Sequence, residues 1–514
     1  MSFTAAEASL QTPMPLLARS NAARGSLAEG RSGTTDRFGL RHSSAKAGAV
    51  AAFEAAVHGL AAHKASTGAD LARALSCEPD FVAAHALKGF ANLILAREEL
   101  LRPARQAFTD ACAALRSAGG GTVDERTLVR ALGEAVEGHF ARAAVVLDQI
   151  LERNPGAFLP AKIAHALRFM LGDAPGMLAA STRVLKRWPA DGPGYGFLLG
   201  CHSLALEETG ELEAAERTGR LAVELEPDDA WGLHAVSHVH EMQGRAREGI
   251  AWLEASRPIW TGCNNFSFHM AWHLALFHLE TGDHERVLAI YDTQVRPHQT
   301  DDFRDVANAV SLLWRLEQEG VSVGARWGEL GAIAMRRRRD TTLTFASLHN
   351  LLALIAMGEI DAAWELVDAL ATSAAQAEGD QGQVMEAVGI ELATTLLDLA
   401  LNRAPRSDFA SLASRLPRLG GSHAQRDVFV RTLAEFAAIR GESDALRTIL
   451  GIRRRLKRDD RVVTLLEHRL AGARRRNWKR HSQRAWQRET TDISGQARLP
   501  ALCGRQERFP LQER

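Results

Sequence analysis

The sequence predicts an all-α fold, a superhelix of stacked helix pairs (an α-solenoid). Three observations carry the prediction. Glycines recur along the middle of the chain at Gly138, Gly172, Gly210, Gly244 and Gly282, spaced 34, 38, 34 and 38 residues apart. Prolines follow three of them at a fixed 17 residues, at Pro155, Pro189 and Pro227. Alanine and leucine dominate while only 2 tyrosines occur among 514 residues, which favours helices over strands.

Each punctuation residue has a physical task. Glycine permits the tight turn between two antiparallel helices. A small residue five positions later, as at Ala143, Ala215, Gly249 and, after Gly358, Ala363, lets the second helix pack closely. Proline stops that helix before the next begins. A period near 34 with this grammar marks a tetratricopeptide-like repeat, in which helix pairs stack into a superhelix.

The elements follow in order. Residues 1–42 are rich in Ser, Ala, Gly and Thr and lack helical periodicity, so a disordered N-terminal segment is expected there. Residues 43–471 form the expected repeat domain. Helix pairs read as 45–63 with 67–76, then 80–96 with 102–117, then the clean repeats over 122–297. Pairs at 301–320 with 323–338 and at 341–357 with 359–375 follow, and 383–402, 423–440 and 443–456 continue with weaker grammar. The stretch 404–422, with Pro405, Pro417, Gly420 and Gly421, reads as a loose joint. Residues 472–514 hold 11 Lys and Arg against 4 Asp and Glu without an apolar stripe, so a basic, disordered tail is expected.

Composition excludes several classes. Net charge is +0, and a basic tail on a mildly acidic body is not the footprint of a nucleic-acid binder. The 5 cysteines are scattered with no CxxC pair, which fits a reducing compartment. No apolar run reaches the length of a membrane span, and residues 1–36 lack the order of a signal peptide, so a cytoplasmic protein is expected. Gly119–Gly121 lack the following Gly-Lys-Ser/Thr of a phosphate loop, and no Ser–His–Asp or dinucleotide motif occurs.

Chemistry concentrates in histidines. In DAWGLHAVSHVHEM, His234, His238 and Glu241 share one helix face, lying 10, 6 and 3 residues before Gly244. In the next repeat His269 and His273 stand at i, i+4, and His269 and Trp272 lie 13 and 10 before Gly282. Both stretches are first helices of their repeats, the helices that line the concave groove of such a stack. His240, four before Gly244, should instead face the partner helix. Three readings stay open. The imidazoles could simply pack against neighbouring helices. They could line a groove that binds a peptide, protein or small molecule. Or they could form a divalent-metal or acid–base centre, an enzyme built on the same groove, with His234, His238, His269 and His273 as the candidate ligands. A nucleophilic cysteine, Cys201 or Cys263, is a weaker candidate.

With these stretches in view, the chain resembles the tetratricopeptide repeat protein 38 family. DAWGLHAVSHVHEM, HMAWHLALFHLETGDHERVLAIYD, LLWRLEQEGVSVGARW and GGSHAQRDVF carry the resemblance, which covers about residues 37–470. It implies that His234, His238, His240, Glu241, His269 and His273 belong to a motif, together with His85, His165, His349, Arg426 and Asp427. The groove set it favours is His234, His238, Glu241, His269, Trp272, His273 and His349. It implies a repeat fold and a site, and no particular reaction.

Overall fold

A computed structural model describes residues 33–189, 191–405 and 407–475, with side chains described to 468. Among these the architecture is an all-α helical repeat. Helices, most of them of 10 to 20 residues, follow one another with short turns and pack on their neighbours. First helices of successive repeats also touch, as between Tyr195–Glu208 and Ala230–Met242. No helix among the described residues is long and apolar enough to cross a membrane.

The punctuation works as the sequence predicts. All five repeat glycines take positive φ, between 68° and 88°. At Gly249 a Cβ would stand 2.3 Å from the Phe277 ring, so the second helix of that repeat needs the missing side chain. Ala143, Ala215 and Ala363 are fully buried at the equivalent position. Helices end at Arg153, Leu185 and Leu225, shortly before Pro155, Pro189 and Pro227. Side-chain caps hold other ends. Thr122 with Glu125, and Ser422 with Gln425, form reciprocal capping boxes.

Three features differ from the sequence reading. First, residues 33–42 are folded. Thr34–Thr35 and Arg41–His42 form a small antiparallel hairpin, and Phe38 and Leu40 enter the core of the first repeats. Two isolated apolar residues gave no period to detect there. Residues 1–32, where the rest of the expected disordered segment lies, and 476–514 of the basic tail fall outside the described residues. Second, the 404–422 joint contains a helix, Phe409–Arg415, and a 3₁₀ turn, Leu416–Leu419, which bury Phe409, Leu412, Leu416 and Leu419. Third, the concave face is not open.

The C-terminal helices Phe409–Arg415, His423–Arg440 and Ser443–Leu456 close it. Arg426 binds Glu208 at 2.8 Å, and the His423 backbone N–H donates to the same carboxylate at 2.7 Å. Lys457 pairs with Glu280 at 2.8 Å, and the Arg458 backbone N–H donates to the Met242 carbonyl. Gly172 shows how close the approach is. A Cβ there would lie 2.0 Å from the Pro417 carbonyl oxygen. The superhelix also closes on its first pair, where the Asn264 N–H donates to the His63 carbonyl, 201 residues away, at 2.7 Å.

Candidate functional site

Two first helices build the centre, Ala230–Met242 and Phe266–Thr281. The i, i+4 spacing places His234 beside His238, and His269 beside His273, on facing surfaces. The Nε2 atoms meet. His234 Nε2 lies 2.9 Å from His238 Nε2 and 2.9 Å from His269 Nε2, and His269 Nε2 lies 3.3 Å from His273 Nε2. One nitrogen from each of the four rings falls within 4.8 Å of every other. His234, His238 and His273 are 1%, 0% and 0% exposed, whereas His269 is only partly buried.

The opposite edges of the rings face hydrogen-bonding groups. His269 Nδ1 lies 3.2 Å from Asn308 Oδ1, on helix Phe303–Gln318. His273 Nδ1 lies 3.4 Å from Glu241 Oε2, and His238 Nδ1 lies 3.7 Å from Glu207 Oε2. Carboxylates behind imidazoles in this way orient a ring and raise the basicity of its far nitrogen. Each neutral imidazole carries a single N–H. A proton held at Nδ1 leaves a lone pair at Nε2, an arrangement that the Asn308 contact favours for His269. Nδ1 of His234, His238 and His273 has no hydrogen-bond partner among the described residues, the carboxylates lying near the last two without bonding them.

Electrostatics keep the rings neutral. Burial pushes His234, His238 and His269 well below the ordinary histidine value, and the neighbouring imidazoles add to it. Burial, with Arg315 nearby, takes His273 down to about 3. Glu207 moves the other way, raised by burial and by the adjacent Glu208 and Glu241. For Glu208, burial pushes upward but His423 and Arg426 outweigh it and hold the group at about 2. Glu241 is raised by burial, against Lys457 and Arg315.

Trp272 forms a wall. It stacks on His269 with centroids 5.3 Å apart, and its Nε1 donates to Ser311 Oγ at 3.1 Å. His240 turns away, 3.6 Å from Glu216 and edge-on to Trp252 on the second helices. His349 stands apart from the four. Its Nδ1 meets the Phe345 carbonyl of its own helix at 2.8 Å, and its ring sits between Phe345 and Phe429. His165 packs edge-on to Trp231, and His85 meets the Pro79 carbonyl. Arg426 and Asp427 belong to the C-terminal closure, Asp427 lying beside Arg453 and Arg315. The expected groove residues therefore lie on a closed face. The closing helices convert that face into interior, with Glu241 only 8% exposed.

The cysteines do not support nucleophilic chemistry. Burial pushes the Cys201 thiol up and takes Cys263 to about 11, the reverse of activation. Cys263 Sγ points to backbone carbonyls of Ala62 and Ile259.

Sequence reasoning missed Glu207, Asn308 and His63. Glu207 carried a usable signal, standing three residues before Gly210 as Glu241 stands three before Gly244. Asn308 comes from the next first helix of the stack and His63 through closure of the superhelix, and neither had a local mark.

No family model matches the chain. Among solved structures, the crystal structure of the yeast Tom70 aligns with a TM-score of 0.33 and 12% sequence identity, over 83% of this chain and 88% of that one.

Proposed function

We propose that this helical-repeat protein holds a divalent metal ion between His234, His238, His269 and His273. The observation that carries the reading is the convergence of four Nε2 atoms, three of them on fully buried rings. Ring nitrogens this close need a proton or a cation between them, and a metal ion satisfies all four at once, whereas neutral imidazoles with one N–H each satisfy them only in part. Zinc bound at 2.0–2.1 Å in tetrahedral geometry separates its nitrogens by about 3.3–3.4 Å, close to the spacing of these atoms. Imidazole donors suit zinc, copper, iron or nickel and argue against magnesium or calcium, which prefer oxygen.

The site's setting favours a role beyond scaffolding. Four histidines can close a tetrahedron, as structural ions require, yet His269 retains contact with solvent. That open side supports a metal able to take a further ligand, and with it an enzyme or small-molecule sensor. A peptide groove is less favoured, because the chain's own C-terminal helices cover the concave face. We also place the chain with the tetratricopeptide repeat protein 38 family, on the stretches quoted above.

The test is calorimetric titration of chelator-treated protein with zinc and nickel, across pH. Metal binding should weaken as acid protonates the imidazoles, whereas an anion held by imidazolium would bind more tightly. No heat from any transition ion, with the helical signal intact, would sink the reading.

A further inference from the structure

Beside the histidine centre the inner face carries a buried cation without a direct ion pair; the buried Asp229 carboxylate, raised to about 7 by burial, feels its charge but makes no ion pair with it. Lys162 stands ten residues before Gly172, the register His234 holds before Gly244. Between them the same register is Gly200, which contributes no side chain. Lys162 is 8% exposed, and its Nζ lies 4.7 Å from the centroid of Trp231. Among the described residues its only close polar contact is Cys201 Sγ at 3.9 Å, and no carboxylate comes within ion-pairing distance. A buried ammonium is costly when unpaired, and the face of a tryptophan offsets only part of that cost.

Trp231 connects this lysine to the centre. Its ring lies 4.9 Å from that of His234. His63 stacks near-parallel on Trp231 at 5.6 Å and on Phe266 at 4.1 Å. The His63 backbone is held at φ 54°, a left-handed conformation that costs a non-glycine residue energy. Its Nε2 is buried with no hydrogen-bond partner. Arg304, bound to Asp302 at 2.6 Å, adds a second positive charge that bears on both His63 and His269. An ammonium without a direct ion pair and an unused ring nitrogen thus lie on the Trp231 ring beside His234, with the Asp302-bound Arg304 adding positive potential.

We infer that Lys162 and His63 form an anion seat beside the metal centre, and that the ligand it takes carries a carboxylate or phosphate group. The ammonium supplies the charge, and the His63 ring supplies a directional hydrogen bond. This deepens the metal reading by naming the ligand's chemistry, and rests on that reading only for the ion next to it.

The experiment uses the full chain loaded with zinc, its metal content measured, and titrated calorimetrically with benzoate and with inorganic phosphate. One probe should bind to the wild type, and which one identifies the carboxylate or the phosphate source. Lys162→Met should weaken it about tenfold or more with zinc content unchanged, as expected for a lost charged hydrogen bond. Lys162→Arg should keep most of the affinity, and this variant guards against a misfolded Lys162→Met. His63→Phe, which preserves stacking, should weaken the same probe about threefold or more. Absence of binding by both probes to the wild type overturns the seat, as does equal binding to wild type and Lys162→Met. If zinc is not retained yet probe binding is lost in Lys162→Met, the metal reading fails and the seat stands.

Discussion

The four converging histidines and the solitary His349 make an instructive pair. Both lie on first helices, all but His269 are buried, and burial lowers both, His349 to about 4. What differs is where the ring nitrogens point. His349 gives Nδ1 to a carbonyl one turn back and packs between two phenylalanines, a satisfied core residue. Three of the four instead turn Nδ1 toward Asn308, Glu241 and Glu207, and all four leave Nε2 facing Nε2. Burial and a depressed pKa mark interior histidines in general. Convergence of ring nitrogens marks a site.

The largest effect should separate those two classes outright. Replacing His234 and His269 together by Ala is expected to abolish retention of a transition-metal ion while the helical signal survives. His349→Ala should do the reverse, costing ~2–4 kcal/mol of stability as a core truncation while leaving metal binding alone. Circular dichroism with metal analysis reads both. Metal loss in His349→Ala without unfolding would erase the distinction.

Next in size come the groups behind the rings. Glu207→Gln and Glu241→Gln should each weaken metal affinity about 10–100-fold, the usual range for a partner that orients a ligand. Competition against a chromophoric chelator measures this. Unchanged affinity in both would mean that the carboxylates only fill space.

A pH series sharpens the comparison from the other side. His165, His240 and His349 are lowered to about 3, 4 and 4, chiefly by burial, whereas unfolded histidine titrates near 6.5. Above pH 6.5 both states are neutral and these groups leave stability flat. Below it only the unfolded chain takes up protons, so stability should fall as pH drops from about 6.5 to 4. Each such histidine contributes about 1.4 kcal/mol per pH unit. Urea melts of chelated protein at pH 7 and 5 would show it. Equal midpoints would contradict the neutral, buried assignment.

The smallest expected effect concerns the closure. Gly172→Ala forces a Cβ against the Pro417 carbonyl at φ 68°, and should cost about 1–3 kcal/mol in a thermal melt. No loss would mean that the C-terminal joint does not sit tightly on that turn.

Legibility followed the reach of local signals. The turn glycines, the buried alanines and the helix-stopping prolines are local, and they placed the repeats. The i, i+4 pairs placed the four histidines on two adjacent first helices, because register alone decides which face a helical residue occupies. What register cannot give is closure. Nothing near His63 says that its carbonyl will meet Asn264, and nothing near Arg426 says that it will bind Glu208. Those contacts bring together residues about 200 positions apart, and they turn a concave face into a buried centre. Phe38 and Leu40 were missed for a related reason, since a four-residue hairpin has no period to read.

The central claim is that the four imidazoles surround a metal ion. Elemental analysis of protein purified without added metal or chelator tests it most directly. The account predicts about one zinc-class transition ion per chain, lost when His234 and His269 are both replaced. A folded wild-type chain that carries no such ion and takes none up when zinc is supplied would contradict it.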